Sequence, residues 1–439
     1  MRLAICALAC AAFAAGQPTA FTLPQAVAKA LEHYPSIRVS DEQVSAAAAG
    51  INLARTAYLP HLDALGQVNR ATRNNVFGLI LPNSVIPSIS GPVLGTNSLN
   101  SVWGTAVGAL VSWEPFDFGL RAANVSVAAA SRHRADVTAA RTRFEVSVLA
   151  ADSFLTLLAA EETLHAADAA VERTRILNDV VGALVKSELR PGADASRARA
   201  EQAVAETQRI QAQQAVDIAR ITLAQFTGVP LAAAEVQPGP FLGPPPEPAD
   251  ASNVSLHPFA LEQSAVIEEA KARERALNRT YFPKFYLQGT SYARGEGNTG
   301  PNIQNWALGF TATFPVFEFA SIRARKQVEA HRERSEEARY QQVLTELNSN
   351  VARARAGLEA ARRIARNTPV QLEAAQQAQK QAAARYRAGL SDVVNVADAE
   401  RLLTQAAIDN ALARLGVWRA LLSVAAAQGD LQPFLDRTQ

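Results

Sequence analysis

Cysteine is nearly missing from these 439 residues: the only two, Cys6 and Cys10, fall at the very start. Met1-Arg2, the apolar run Leu3 to Ala15 and the small residues Ala14-Ala15-Gly16 read as a secretory leader over residues 1–16. The mature chain then has no cysteine, which excludes disulfides, zinc-thiolate sites and cysteine nucleophiles. Cys10 is also a candidate lipid-anchor cysteine, although Ala7 stands where the usual signature has leucine. Long apolar runs are missing too. No later stretch reaches the roughly eighteen apolar residues of a membrane helix, and the leader's run is shorter still. Such a secreted chain is periplasmic, extracellular or a β-barrel, whose strands alternate instead of forming runs.

An excess of one charge is absent: Lys+Arg number 43 against 41 Asp+Glu, so nothing predicts a nucleic-acid partner. The six histidines, His33, His61, His133, His165, His257 and His331, are scattered without metal-ligand spacing. Carboxylates such as those from Glu329 to Glu337 fit solvated i,i+4 pairing on a helix face. Gly295-Glu296-Gly297-Asn298-Thr299-Gly300 matches GxGxxG and follows a strand pattern. Pro301 and another strand pattern come next, where a dinucleotide site needs a helix N-terminus, so the motif reads as an exposed hairpin loop. No nucleophile motif occurs. No catalytic, cofactor or metal residue is assigned, and the chain does not read as an enzyme.

What is present is one programme read twice. Thr22 to His33 is a short amphipathic helix with Leu23, Val27 and Ala30-Leu31 on one face. After Pro35 an alanine-rich helix runs from Ser36 to Tyr58 and closes at Tyr58-Leu59-Pro60; in the second half His257 to Arg279 closes at Tyr281-Phe282-Pro283. A strand follows each proline: Leu62, Ala64, Gly66 and Val68 alternate with polar neighbours, as do Phe285 and Leu287. Loops of Gly, Pro, Asn and Ser intervene, long at about Ala71 to Asn100 and short at Gly295 to Asn305.

The return strands alternate most clearly. Trp103, Thr105, Val107, Ala109, Val111 and Trp113 form one face against Gly104, Ala106, Gly108 and Ser112, broken only by Leu110. The counterpart runs Trp306, Leu308, Phe310, Ala312, Phe314. At roughly 3.3 Å per residue and a tilt of about 40°, Trp103 to Trp113 rises about 25 Å, the height of a lipid-facing band. Trp103, Trp113, Trp306 and Phe314 are then its aromatic girdle. A half-buried strand of a soluble sandwich has a similar pattern, but aromatics at both ends favour the barrel.

Phe116-Asp117-Phe118 is matched by Phe317-Glu318-Phe319 at an offset of 201, and a long helix begins beyond each. Gly119 to Gly192 and Ala320 to Gly389 each reach about 100–110 Å at roughly 1.5 Å per residue. Phe144, Val148, Ala151, Leu155 and Leu158 form a coiled-coil seam, and Ile408, Leu412 and Leu415 repeat its step. Each long helix ends in a turn, Leu189-Arg190-Pro191-Gly192 or Arg385-Tyr386-Arg387-Ala388-Gly389-Leu390-Ser391-Asp392, in which Gly192 and Gly389 correspond at an offset of 197. Shorter helices return from the turns, Gly192 to Gly228 and Gly389 to Gly429. Pro369 should kink the second long helix. Residues 17–228 and 257–430 are thus two repeats, joined by an extended connector over 229–256 through Pro244-Pro245-Pro246 and followed by a tail, 431–439.

This plan resembles the TolC family of bacterial outer-membrane efflux proteins across essentially the whole mature chain. The resemblance rests on Tyr58-Leu59-Pro60 with Tyr281-Phe282-Pro283, on Phe116-Asp117-Phe118-Gly119 and on Tyr386-Arg387-Ala388-Gly389-Leu390. It implies a mainly α fold with a transmembrane β part. Three chains would give a long α-helical coiled-coil barrel and one 12-stranded β-barrel, four strands from each. It further implies an outer-membrane channel-tunnel in a homotrimer, passively exporting what a periplasmic adaptor (membrane fusion) protein and an inner-membrane pump of RND, ABC or MFS type deliver. Leu189, Arg190, Gly192, Arg387, Gly389, Leu390 and Ser391 would contact the adaptor at the tips. Arg387, Asn395 and Asp398 would form the periplasmic gate, Asn395 standing where the family often has an acidic residue and Ala320 where it usually has glycine. A type I protein secretion duct of the same fold is one alternative; a non-channel periplasmic coiled-coil structural protein is another.

Overall fold

The computed structural model describes residues 20–72, 100–231, 234–243, 246–247, 253–296, 301 and 303–438. The leader with Cys6 and Cys10, most of the long loop, Pro244-Pro245 and the second half of the GxGxxG segment lie outside the described residues. Twelve elements of strand or α-helix follow one another: α1 (Leu23–His33), α2 (Pro35–Thr56), β1 (His61–Thr72), β2 (Ser101–Phe116), α3 (Leu120–Lys186), α4 (Gly192–Thr227), α5 (Pro258–Arg279), β3 (Lys284–Glu296), β4 (Ile303–Thr313), α6 (Phe319–Arg387), α7 (Val393–Gln428) and α8 (Gln432–Leu435).

The described chain divides into two units. One takes the residues through Ser40 with Ala139–Leu261 and those from Gln342 onward; the other takes Asp41–Thr138 and Glu262–Gln341. The second unit holds a four-stranded antiparallel sheet in the order β1-β2-β3-β4. Duplication fixes its geometry. Elements before the strand loop recur at 223 residues (Pro35 to Pro258, His61 to Lys284), and those after it at 201 (Gly192 to Val393, Thr227 to Gln428). Adding those two offsets to the β1–β2 pair His61–Ser112 gives Lys284–Thr313, the first pair of the observed β3–β4 hairpin. The two hairpins therefore share one register, as a common side-chain alternation requires.

The first unit carries the main core. α1 starts at Thr22, whose backbone N–H donates to Gln25 Oε1 at 3.0 Å, and it buries Leu23, Ala26, Val27 and Ala30. Against them pack Phe154, Leu155, Leu157 and Leu158 of α3, Leu223 of α4 and Trp418 of α7, all buried. The predicted α3 seam lies inside this cluster: Ala151, Leu155 and Leu158 are buried, and Phe144 and Val148 pack at its margin. Of the α7 seam, Leu415 is buried in the core and Ile408 half-buried, while Leu412 is 37% exposed and Leu403, Ala406, Trp418 and Leu421 are buried around them.

Three further segments are defined by the fold. The connector between the repeats packs onto the core. Phe21 forms a parallel bridge with Val236, and Phe241 is buried with ring centroids 5.7 Å from Phe154 and 5.0 Å from Trp418. In the C-terminal tail Leu431, Phe434 and Thr438 are buried; apolar side chains in both segments cover a core that the long helices leave open. Pro369 lies inside α6, which runs helical from Phe319 to Arg387.

Candidate functional site

Two places stand out, the outer face of the sheet in one unit and the paired helix turns in the other. On the sheet, Trp103, Val107, Val111 and Trp113 of β2 and Trp306, Leu308 and Phe310 of β4 are exposed, while Gly104, Ala106 and Leu110 are covered. β1 presents Leu62 and Val68 on the same face, and β3 presents Leu287. Gln288 and Tyr292 turn to the buried side. The alternation of the return strands is observed with one change: β4 ends at Thr313, so Phe314 is exposed just beyond the strand rather than within it. β3 conversely reaches Glu296 and takes in Gly295, the first glycine of the GxGxxG segment. Among the described residues no helix is long and apolar enough to cross a membrane.

An aromatic cluster closes the sheet at the far ends of the strands. Phe118 stacks on Phe282 with centroids 5.2 Å apart, and Phe116 lies 6.4 Å from Phe285. The chain turns there through Phe118 (φ 52°) and Gly119 (φ 87°). Asp117 fixes that turn: its carboxylate accepts from the backbone N–H of Gly119 at 3.1 Å and pairs with Arg121 Nε at 3.0 Å.

The helix turns have a geometry that the sequence spacing misassigns. In the second, the N–H of Gly389 donates to Tyr386 O and that of Leu390 to Arg385 O, at 3.0 and 2.9 Å, with Gly389 at φ 78°. In the first, the same two bonds run from Glu188 to Val185 O and from Leu189 to Leu184 O, both 3.0 Å, and the left-handed residue is Glu188 at φ 57°. The counterpart of Gly389 is therefore Glu188, 201 residues earlier, and not Gly192, which is simply the first residue of α4. The offset of 201 between the Phe-Asp/Glu-Phe motifs already carried this signal. A non-glycine residue in that conformation costs about 1–2 kcal/mol. Glu188→Gly is therefore expected to raise stability by about 1 kcal/mol after the entropy of glycine is allowed for, read as a higher midpoint in thermal unfolding.

The two turns are locked to each other. Arg190 Nη2 donates to Tyr386 O at 2.6 Å and to Ser391 O at 3.3 Å, and its guanidinium sits 4.4 Å from the centre of the Tyr386 ring. The Tyr386 hydroxyl donates to Asp194 Oδ2 at 3.2 Å. Tyr386 is 1% exposed, packed with Val181, Ala198, Val393 and Val396. Burial, followed by the charge of and hydrogen bond to Asp194, pushes its hydroxyl up to about 12. Leu189 and Leu390 project outward, 70% and 71% exposed.

Farther along α7, two consecutive residues hold the neighbouring helices. Glu400, nearly buried, accepts from Arg173 Nε of α3 at 3.0 Å and from Gln379 Nε2 of α6 at 2.6 Å. Arg401 makes a two-point pair with buried Glu201 of α4, 3.0 and 2.8 Å. Such buried carboxylates are tolerable only with partners of this kind. Of the residues expected at a gate, Arg387, Asn395 and Asp398 are all exposed. Within one chain Asp398 lies 3.9 Å from Arg401, so its ion-pair contact is its own helix neighbour and not Arg387. Sequence reading missed Asp194, Glu201 and the Arg173–Glu400 pair, because contacts of more than 190 residues' separation leave no local pattern.

Comparison with known proteins follows this geometry. A family model described as outer membrane efflux protein matches residues 26–229 and 258–430. No curated protein sequence matches significantly. Among solved structures, the Campylobacter jejuni CmeC outer membrane channel is 15% identical with a TM-score of 0.74, over 95% of this chain and 89% of that one. The outer membrane protein VceC of Vibrio cholerae gives 17% and 0.71, over 93% and 96%. The open state of the Neisseria gonorrhoeae MtrE outer membrane channel gives 19% and 0.69, over 93% and 89%.

Proposed function

This chain belongs to the outer membrane efflux protein family, and from that premise we propose that three copies form a passive duct through which a pump's substrates leave across the outer membrane. The observation that carries the reading is the open four-stranded sheet with a continuous apolar, tryptophan-bearing outer face. Unpaired strand edges have no water to bond within a bilayer, so β1 and β4 must find partners. A twelve-stranded barrel from three copies supplies them without new structure. Trp103, Trp113, Trp306 and Phe314 then sit at the bilayer's interfaces, where aromatic rings are favoured.

The helix turns fit the docking end. Leu189 and Leu390 are apolar knobs for a periplasmic adaptor, in the company of Gly192, Arg387, Gly389 and Ser391. Besides its place among the tip residues, Arg190 donates through Nη2 to Tyr386 O and Ser391 O and so holds one tip to the other. Opening the duct requires this Arg190–Tyr386–Asp194 lock to loosen, a change that an adaptor and an inner-membrane pump can bias. Arg387, Asn395 and Asp398, exposed beside the lock, are placed to line the narrow end between copies. Cell fractionation with sizing in detergent tests the reading. A trimer in the outer membrane that gives discrete conductance steps in a planar bilayer is the expected result; a soluble monomer overturns it.

A further inference from the structure

The alternation that gives the sheet two faces also sorts its charges. Of the charged residues in the four strands, Asp63, Glu114, Lys284, Arg294 and Glu296 fall on the face opposite the tryptophans. The exception is Arg70. It stands directly opposite Trp103 in the β1–β2 pairing, so it shares the apolar outward face with Val68 and Val107 and is itself exposed.

Its place along the strands is equally specific. β1 and β2 join α2 and α3 through His61 and Phe116, and Arg70 and Trp103 lie at the opposite end of the same hairpin. With the helices in the periplasm, that end reaches the outer leaflet. A cation on the lipid face is costly at mid-band but tolerable beside the aromatic girdle, where headgroups begin.

The side chain is also oriented. Nε of Arg70 donates to Ser101 Oγ at 2.9 Å, and the guanidinium lies 5.7 Å from the centre of the Trp103 ring, within cation–π range. Anchoring Nε leaves Nη1 and Nη2 as the donors that remain, and no carboxylate among the described residues pairs with them. Two parallel N–H donors match two oxygens of one phosphoryl group. The Ser101 hydroxyl, having accepted from Nε, still has a proton to donate.

Resting on the outer-membrane channel reading above, we propose that Arg70, Ser101 and Trp103 form a binding site for the phosphate of a lipid headgroup in the outer leaflet. The phosphate takes the guanidinium fork, and the Trp103 ring lies where headgroup meets acyl chain. A lipid is the occupant, and not a dissolved anion, because the site opens on the apolar face between Val68 and Trp103, which a bilayer covers.

Native mass spectrometry of the detergent-purified trimer, titrated with diphosphoryl lipid A, tests the site. One lipid per copy is expected. Arg70→Gln should weaken uptake about tenfold without changing the trimer or its conductance, and Arg70→Lys, which keeps the charge but lacks the fork, about threefold. Arg294→Gln, which removes a cation from the other face, should leave uptake unchanged, and dephosphorylated lipid A should bind the native chain only as weakly as diphosphoryl lipid A binds Arg70→Gln. Equal uptake by the native chain and Arg70→Gln, or equal uptake of the two lipids, overturns the site while leaving the channel intact. If Arg70→Gln fails to assemble, Arg70→Lys decides, and uptake equal to the native chain overturns the site. Displacement of lipid A by inorganic phosphate would mark a dissolved-anion site and overturns the lipid assignment. A soluble monomer overturns the channel reading itself.

Discussion

Tyr386→Ala is expected to destabilise the tip region by about 3–5 kcal/mol, the usual cost of removing a fully buried aromatic ring. The ring fills the space among Val181, Ala198, Val393 and Val396, and no polar neighbour could replace that packing. Its loss also strips Arg190 of its ring contact and Asp194 of its hydroxyl donor. Tyr386→Phe removes only the hydroxyl bond, for about 1 kcal/mol. Both variants loosen one tip from the other, so both should raise the open fraction of single channels in planar bilayers, alanine far more than phenylalanine. Unchanged gating in Tyr386→Ala would remove the lock from the mechanism. The hydroxyl adds a pH signature. Its proton is held more tightly in the folded state, so the contribution is complete below the ordinary value of 10.0 and is lost as pH rises toward about 12. Thermal unfolding across that window should fall more steeply in the native chain than in Tyr386→Phe.

Gly429→Ala is the second large effect, at about 3 kcal/mol. Gly429 ends α7 at φ 81°, and a Cβ there would lie 2.7 Å from His257 Cδ2 and 2.9 Å from its Cα. The backbone contributes about 1–2 kcal/mol and the forced displacement of His257 about as much again. Gly389→Ala separates the two terms. Its φ is 78° but nothing lies within 4 Å of its Cβ position, so only the backbone cost should appear. His257 cannot yield easily: its Nε2–H donates to Ala426 O at 3.1 Å while Nδ1 accepts from the N–H of Phe259 at 3.2 Å. Burial holds its pKa below the ordinary 6.5, opposed by the Ala426 bond. The neutral ring is the one that fits. Its stability is therefore whole above 6.5 and declines as pH falls below it, because the unfolded chain takes up the proton first. Circular dichroism melts of both variants at neutral pH, and of the native chain from neutral to mildly acid pH, check these values.

Much of the architecture was legible because it depends on local rules. Alternation from Trp103 to Trp113 announces a two-faced strand by period alone. Spacing of Phe144 to Leu158 announces a buried helix seam, and Gly228 and Gly429, at φ 70° and 81°, end their helices as glycine should. Misreadings arose where a local rule had two solutions. Gly192 looked like the partner of Gly389, yet the left-handed turn is taken by Glu188, a residue with no preference for it. Phe314 continues an alternation that the strand's hydrogen bonds do not.

By itself, then, the sequence determined the order of the elements, their duplication, the lengths of the helices and the outward face of the sheet. Each follows from period, propensity and breaker residues read over a few turns of chain. Only the tertiary structure decided that Arg190 reaches across to Tyr386, that Glu400 and Arg401 hold α3, α4 and α6, and that Phe241 and the C-terminal residues complete the core. Those contacts join residues up to 227 positions apart. Their free energy depends on which faces the long helices turn toward one another, and helix phase accumulated over more than sixty residues is set by packing rather than by any single stretch of sequence.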